Sequence, residues 1–512
     1  MSWIGLSWIG LPGIGIVTLA IALIASAAFA LIGFARTKQR PSLEDYMVSR
    51  NQVGGAMALA TVTASAMGAW ILFSPPEAGS AFGGLTAILG YCLGSAAAVF
   101  VFVFVGPRLR QIMPWGHSLN EYVRHRFAAQ RSAGRLMYLL TVGVMLLYMF
   151  VYLAAELTAI AQALQLVIAV PLVVTSIVVI TAVFLYTAYG GLKATILSDA
   201  VQFALIVPLL LVCFGATVSA LGGFGAAFSP VADNLPALLS LGNIDGLRFG
   251  ATLVIAIVAA ELFNQGNWQR VYACRSDQTV RRAFLGSALV ILPLIFISGL
   301  LGLIAAGFDI SGPTAFFDLL QSLAVPSWLL IGVILLALAL VMSSLDTLLN
   351  GISSVFTSDL LRLSGGANES NDEQRVLLIS RWLTVAVGIP AVAIAAQGYS
   401  VLYLFFVADL LCAALLFPLI FSLYNRHQTA NNAFWSSIVG IVVGTLFFPK
   451  PDFAPLFSIP GGGDLLNSFA AAWVSSTVIT LVWTTLDKNN KNAIPFNYSD
   501  LKNIRSYSAS DR

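Results

Sequence analysis

Apolar and polar positions along this chain follow a long period: runs of about twenty apolar residues alternate with short polar stretches. A helix of that length crosses the ~30 Å hydrocarbon core of a bilayer. The pattern predicts about thirteen spans, at 10–34, 52–73, 82–106, 136–164, 169–187, 195–221, 249–266, 283–307, 328–358, 378–396, 400–424, 433–449 and 465–486. The expected fold class is therefore an all-α polytopic membrane protein. One transmembrane unit covers 1–487, and a polar tail covers 488–512. The first run has no Lys or Arg ahead of it, so it reads as a retained helix and not as a secretory signal. The loop at 222–248, rich in Gly, Ala and Leu, has room for a short surface helix.

Composition agrees, with 58% hydrophobic and only 10% charged residues, against about 25% charged in a soluble domain. Charge placement adds orientation. An odd number of spans puts the termini on opposite sides, and 24 of the 26 basic residues then fall on one side; only Arg248 and Lys450 fall on the other. Basic loops mark the cytoplasm, so the N-terminus is expected outside and the C-terminus inside a multi-pass plasma (inner) membrane protein. A net charge of +3 spread over short loops excludes nucleic acid as a partner. Cys92, Cys213, Cys274 and Cys412 show no ligand spacing and read as small buried hydrophobes, while His117, His125 and His427 fall in polar loops. With no nucleophile–base pair, phosphate loop or metal-ligand cluster in the pattern, an enzyme is not expected.

Carboxylates inside spans cost about 2.5–3.5 kcal/mol on insertion scales, so each invites a functional reading. They are Glu156, Asp199, Glu261, Asp346 and Asp409. Glu156, Glu261 and Asp409 lack recognisable company and read as acids near helix ends or in hydrogen-bonded helix contacts. Asp346 differs. Ser343, Asp346 and Thr347 are spaced i, i+3, i+4 and share one helix face, with Ser344 alongside. Hydroxyls plus a carboxylate offer the oxygen ligands a hard cation prefers; a small-residue packing face accounts for the same pattern equally well. Two spans are poor helices: Gly54, Gly55 and Gly68 interrupt one, which Pro75-Pro76 follow, and Asn264-Gln265-Gly266-Asn267 ends the other. Broken helices expose backbone polar groups, tolerated at membrane depth only around an enclosed or wet cavity. These are the second and seventh spans, so they run in opposite directions. An inverted repeat of five plus five helices requires that arrangement, with halves at about 52–221 and 249–424, one extra helix before them and two after.

At Tyr186-Thr187-Ala188-Tyr189-Gly190-Gly191-Leu192-Lys193 through Ser198-Asp199-Ala200-Val201-Gln202 the chain resembles the sodium:solute symporter family, whose fold is of the LeuT inverted-repeat type. Asn264-Gln265 with Gln269-Arg270 resembles that family's unwound span and the loop beyond it. Asn350 and Asp359 close a ninth span similar to its Ser-Ser/Thr cation motif. The matches run over about 42–425. The resemblance implies a sodium-coupled symporter for a small polar solute, with Na+ as coupling ion and no other cofactor or metal. By position it implies one cation site from the backbone oxygens of Thr63, Ala66 and Leu340 and the hydroxyls of Ser343 and Ser344. A second cation site would comprise Asp199, Ser343, Asp346 and Thr347, where Asp346 suits either a sodium or a proton. Trp70, Phe73, Asn264, Gln265 and Trp268 are the implied solute contacts. The Gly-Gly-Leu-Lys-Ala-Thr and Gln-x-x-Trp-Gln stretches are similar to urea-transporting members, with proline-type members next. A membrane solute sensor on the same fold and a proton-coupled symporter are the alternatives. Oligomeric state is left open.

Overall fold

The computed structural model describes residues 43–323, 325–363, 370–489, 495–502 and 504, with Ile24, Ala27, Ala28 and Leu31 before them. The predicted span 10–34 therefore lies almost wholly outside the described residues.

The apolar runs fold as helices because a helix satisfies its backbone polar groups within itself, as lipid demands. A short helix α1 (Leu43–Met47) leads into α2 (Gly55–Ser65), a 3₁₀ turn at Ala69–Leu72 and α3 (Ser74–Ala81). Then come α4 (Leu85–Ile112), the short α5 (Leu119–Arg126), α6 (Arg131–Ile168) and α7 (Leu172–Ala220). Two surface helices, α8 (Phe224–Asn234) and α9 (Pro236–Leu239), occupy the 222–248 loop. The second half follows as α10 (Ile244–Glu261), α11 (Gln265–Ala273), α12 (Asp277–Gly307) and α13 (Ala315–Ser322). The chain continues through α14 (Ser327–Leu363), α15 (Ser370–Ala395), α16 (Val401–Tyr424), α17 (Ala430–Phe447) and α18 (Leu465–Asn489). Polar residues at the turns start several of them: Ser118, Asn243, Ser276, Ser400 and Thr429 each accept a first-turn backbone N–H with the side chain.

Among the described residues nine helices are long and apolar enough to cross a membrane, or eleven if each of two bent pairs counts as one span. The bent pairs are α2 with the 69–81 segment, at 57°, and α10 with α11, at 59°. Both breaks lie where the glycines and asparagines predict them, but the helices extend further. Pro75 and Pro76 do not end the first broken span. They sit in the first turn of α3, where no N–H is needed. The second broken span starts at Ile244 and runs on to Ala273. The predicted loop between the fifth and sixth spans is a one-residue hinge inside α7. Gly191 has φ 57° and ψ −153° there, and a Cβ would fall against Tyr46 of α1.

Close packing brings the two broken spans together where α11 meets α2. Helix α4 lies against both α10 and α12, and Gly90 meets Gly250 backbone to backbone. Helix α14 packs against α6, α7 and the broken first span, which brings its Ser-Ser-Leu-Asp-Thr segment into the protein interior.

Candidate functional site

Three groups of polar side chains converge around the two breaks. The first surrounds Gly68. With no Cβ there, the Glu156 carboxylate of α6 lies directly on the break, and a methyl at Gly68 would collide with it. Glu156 Oε2 accepts the Ala69 backbone N–H at 2.8 Å, and its fully buried Oε1 has no protein partner. Ser344 faces the same carboxylate, with its hydroxyl directed at the Leu340 and Val341 carbonyls. Thr63 and Ala66 end the first half-helix one turn away. Thr63 donates to Leu59 O at 2.8 Å and Ser287 Oγ at 3.0 Å, and Ala66 caps the half-helix. Thr63, Ala66, Leu340, Ser343 and Ser344 each offer an oxygen, all but Ala66 are buried, and the carboxylate beside Ser344 is that of Glu156. Its sequence neighbours, Leu, Ala and Ile, carry no signal of this.

The second group gathers the expected second site and adds a guanidinium. Ser343 Oγ donates to Asp199 Oδ1 at 2.5 Å; Tyr186 and Ser198 each donate to Asp346 Oδ2 at 2.9 Å. Arg270 donates to Asp199 Oδ2 at 2.6 Å, Thr347 Oγ1 at 2.7 Å, Thr61 Oγ1 at 2.9 Å and Gly266 O at 3.1 Å. Arg270 thus corrects its sequence-based assignment to a cytoplasmic loop. It is 1% exposed, inside α11. Burial is tolerated because its planar fork is matched donor by donor to acceptors from four elements. With both carboxylates ionised the cluster carries one net negative charge, which one sodium or one proton would neutralise.

The third group lines a cavity of about 40 Å³ beside the two broken spans. Trp70, Tyr91, Tyr148, Tyr152, Phe405 and Phe406 form its aromatic walls, with Glu261 and Asp409 among them. Trp70 stacks on Tyr91 at 5.5 Å and meets Phe405 edge-on at 6.1 Å, and its Nε1 donates to the Tyr152 hydroxyl at 3.1 Å. Of the expected solute contacts, Trp70 lines this cavity and the other four do not. Phe73 leans on Phe317 at 4.8 Å. Trp268 packs edge-on against Phe102, its Nε1 bonded to Leu262 O at 2.7 Å, while Gln265 reaches away to His117 O at 2.9 Å. Asn264 acts at one remove, donating to Glu261 Oε2 at 3.3 Å. The reason is the 59° bend: past it, α11 turns its side chains toward α4, α14 and the α1 end of the molecule.

Comparison with known proteins decides the class of this site. The sodium:solute symporter family model matches residues 46–440, most of the chain. The chain belongs to the sodium:solute symporter family. The symporter is 26% identical to a spermidine transporter of Candida albicans over 383 residues, 73% of this chain and 68% of that protein. It is also 26% identical to the sodium/proline symporter of Escherichia coli over 439 residues, 81% of this chain and 84% of that one. The solved structure of a Na+-coupled sialic acid symporter in an outward-open state superposes with a TM-score of 0.73 at 19% identity, covering 92% of this chain and 98% of that one. The symporter shares that fold. Its relatives are transporters and not enzymes.

Proposed function

We propose that the symporter couples sodium entry to uptake of a small polar solute by alternating access, the class that holds proline and urea and, by the Candida relative, spermidine. The observation that carries this reading is the cavity beside the two bent spans, with oxygen-rich, acid-bearing clusters adjoining the same breaks. In this reading 52–221 and 249–424 are inverted halves rocking about the cavity. The basic side faces the cytoplasm, and sodium binds between Thr63, Ala66, Leu340, Ser343 and Ser344 with the Glu156 carboxylate alongside. Sodium at the break would draw the half-helices against α14 and shape the solute cavity, so each ligand would strengthen binding of the other.

The test is flux in proteoliposomes containing the full chain, with and without an inward sodium gradient. Solute should accumulate only with the gradient. Ser343→Ala, Ser344→Ala and Glu156→Gln should each raise the sodium concentration for half-maximal uptake about tenfold, the loss expected of one hydrogen bond to a charged group. Unchanged sodium dependence in all three would reduce these residues to helix packing. Proton coupling is the second reading, favoured by the single net negative charge of the Asp199, Asp346 and Arg270 cluster. It predicts pH-driven uptake without sodium that Asp346→Asn abolishes.

A further inference from the structure

We infer that the solute is an organic cation with two or more amine groups, and that Glu261 and Asp409 are its ammonium anchors inside the aromatic box. This rests on the symport reading in placing the solute beside the broken spans, and narrows the class that reading allows.

Charge is the first argument. Glu261 and Asp409 both line the cavity, both are at least nine-tenths buried, and they lie close enough to repel each other. Among the described residues no Lys, Arg or His stands within ion-pair distance of either; the one fully buried ion pair in the interior, Arg270 with Asp199, belongs to another cluster. Buried acids without a positive partner are retained only where something compensates them. Glu261 is partly satisfied, accepting from Asn267 at 2.7 Å, Asn264 at 3.3 Å and the Tyr148 hydroxyl at 3.3 Å. Asp409 is not: its Oδ1 is enclosed and has no hydrogen-bond partner. It is an acceptor at the cavity wall waiting for a donor. Two acids call for two positive charges.

The walls give the second argument. Ammonium groups are drawn to the faces of aromatic rings, and Trp70, Tyr91, Tyr148, Tyr152 and Phe405 line the same cavity as the acids. The same tyrosines tie the acids together: Tyr148 feels the charges of Glu261 and Asp409, Tyr152 those of Glu156 and Glu261. The lining also includes the aliphatic Leu253, Ile257 and Leu402, suited to the methylenes that separate amines. Urea carries no charge to compensate either acid. Proline, a zwitterion of zero net charge, would bring its own carboxylate with its one ammonium and leave the two acids without net compensation. At about 40 Å³ the cavity has room for about three waters, enough for one ammonium head. A longer amine enters when the flanking half-helices part.

The full chain, purified in detergent, should bind [14C]putrescine and [14C]spermidine saturably. Glu261→Gln and Asp409→Asn should each weaken diamine binding at least about tenfold while weakening butylamine less, since a monoamine needs only one anchor. Asp409→Glu should recover part of the loss. If variants fail to fold, the wild type alone decides by competition and by flux. Sodium-driven uptake of proline or urea, with no binding of either polyamine, would overturn the inference and leave the symport reading standing. Amine binding and flux indifferent to sodium would leave the inference standing and remove the symport reading. Wild-type affinity in both acid variants would strip Glu261 and Asp409 of the anchoring role.

Discussion

Arg270 decides more than any other residue what the cluster near Asp199 can do. Its guanidinium holds Asp199, Thr347, Thr61 and Gly266 at once, so it orients the carboxylate and hydroxyl that a cation would share. Both members of the ion pair are fully buried, and taking one partner away from such a pair costs about 3–5 kcal/mol because the other is left as an unpaired buried charge. Arg270→Gln should therefore lower the thermal midpoint of the purified symporter by several degrees, read by tryptophan fluorescence. Combining it with Asp199→Asn should restore most of that stability without restoring uptake. An unchanged midpoint in Arg270→Gln would mean the pair is not held in solution. Nothing local marks Arg270 as different from the loop arginines. Its partner Asp199 is 71 positions away, and only the close approach of α7 to the α11 side of the break joins them.

At the scale of elements, the short α1 and α5 and the start of α11 are latched together on the face that the basic residues predict to be cytoplasmic. His117 Nε2 meets Glu44 Oε2 at 2.6 Å and its Nδ1 meets Glu121 Oε2 at 3.3 Å, while its carbonyl accepts from Gln265 of α11. Arg50 closes the same knot onto Glu44 and the Pro114 and Gly116 carbonyls. Burial alone would lower the His117 pKa, but the hydrogen bonds and charges of Glu121 and Glu44 outweigh it and raise the group from 6.5 to about 8. A group whose pKa is raised on latching contributes fully below its unlatched pKa. The contribution fades as pH climbs through the raised value. The latch is thus at full strength below about pH 6.5 and is lost as pH passes about 8. Spin labels at Gln52→Cys and Ala129→Cys should report a narrow distance distribution at pH 6.5 that broadens by pH 9, a response His117→Gln removes. A distribution indifferent to pH in the wild type would show that His117 does not titrate as part of the latch. In sequence His117 falls in a polar loop; its neighbours in space come from segments 73 and 148 positions distant.

For the whole molecule, the charge asymmetry predicts that a C-terminal fluorescent reporter glows in the cytoplasm and that a reporter active only outside is silent when fused at residue 512. The reverse pattern would undo the orientation that the basic residues predict, because every loop would change sides. What the sequence determined by itself is whatever a single segment decides: that runs of apolar residues become helices, that glycine and asparagine break two of them, and that Ser343, Asp346 and Thr347, at i, i+3 and i+4, share a face. Those properties depend on backbone hydrogen bonding and side-chain period, which act over a few residues. What only the tertiary structure decided is which polar groups meet across helices. Glu156, Glu261 and Asp409 look alike in sequence, as lone acids in apolar runs. Packing sends Glu156 to the break at Gly68 and turns the other two onto one cavity. The bend after Glu261 moves Trp268 out of that cavity and into the contact with Phe102. Burial makes each of these placements costly unless a partner is present, and the partners come from distant segments, so their chemistry exists only once the helices are packed.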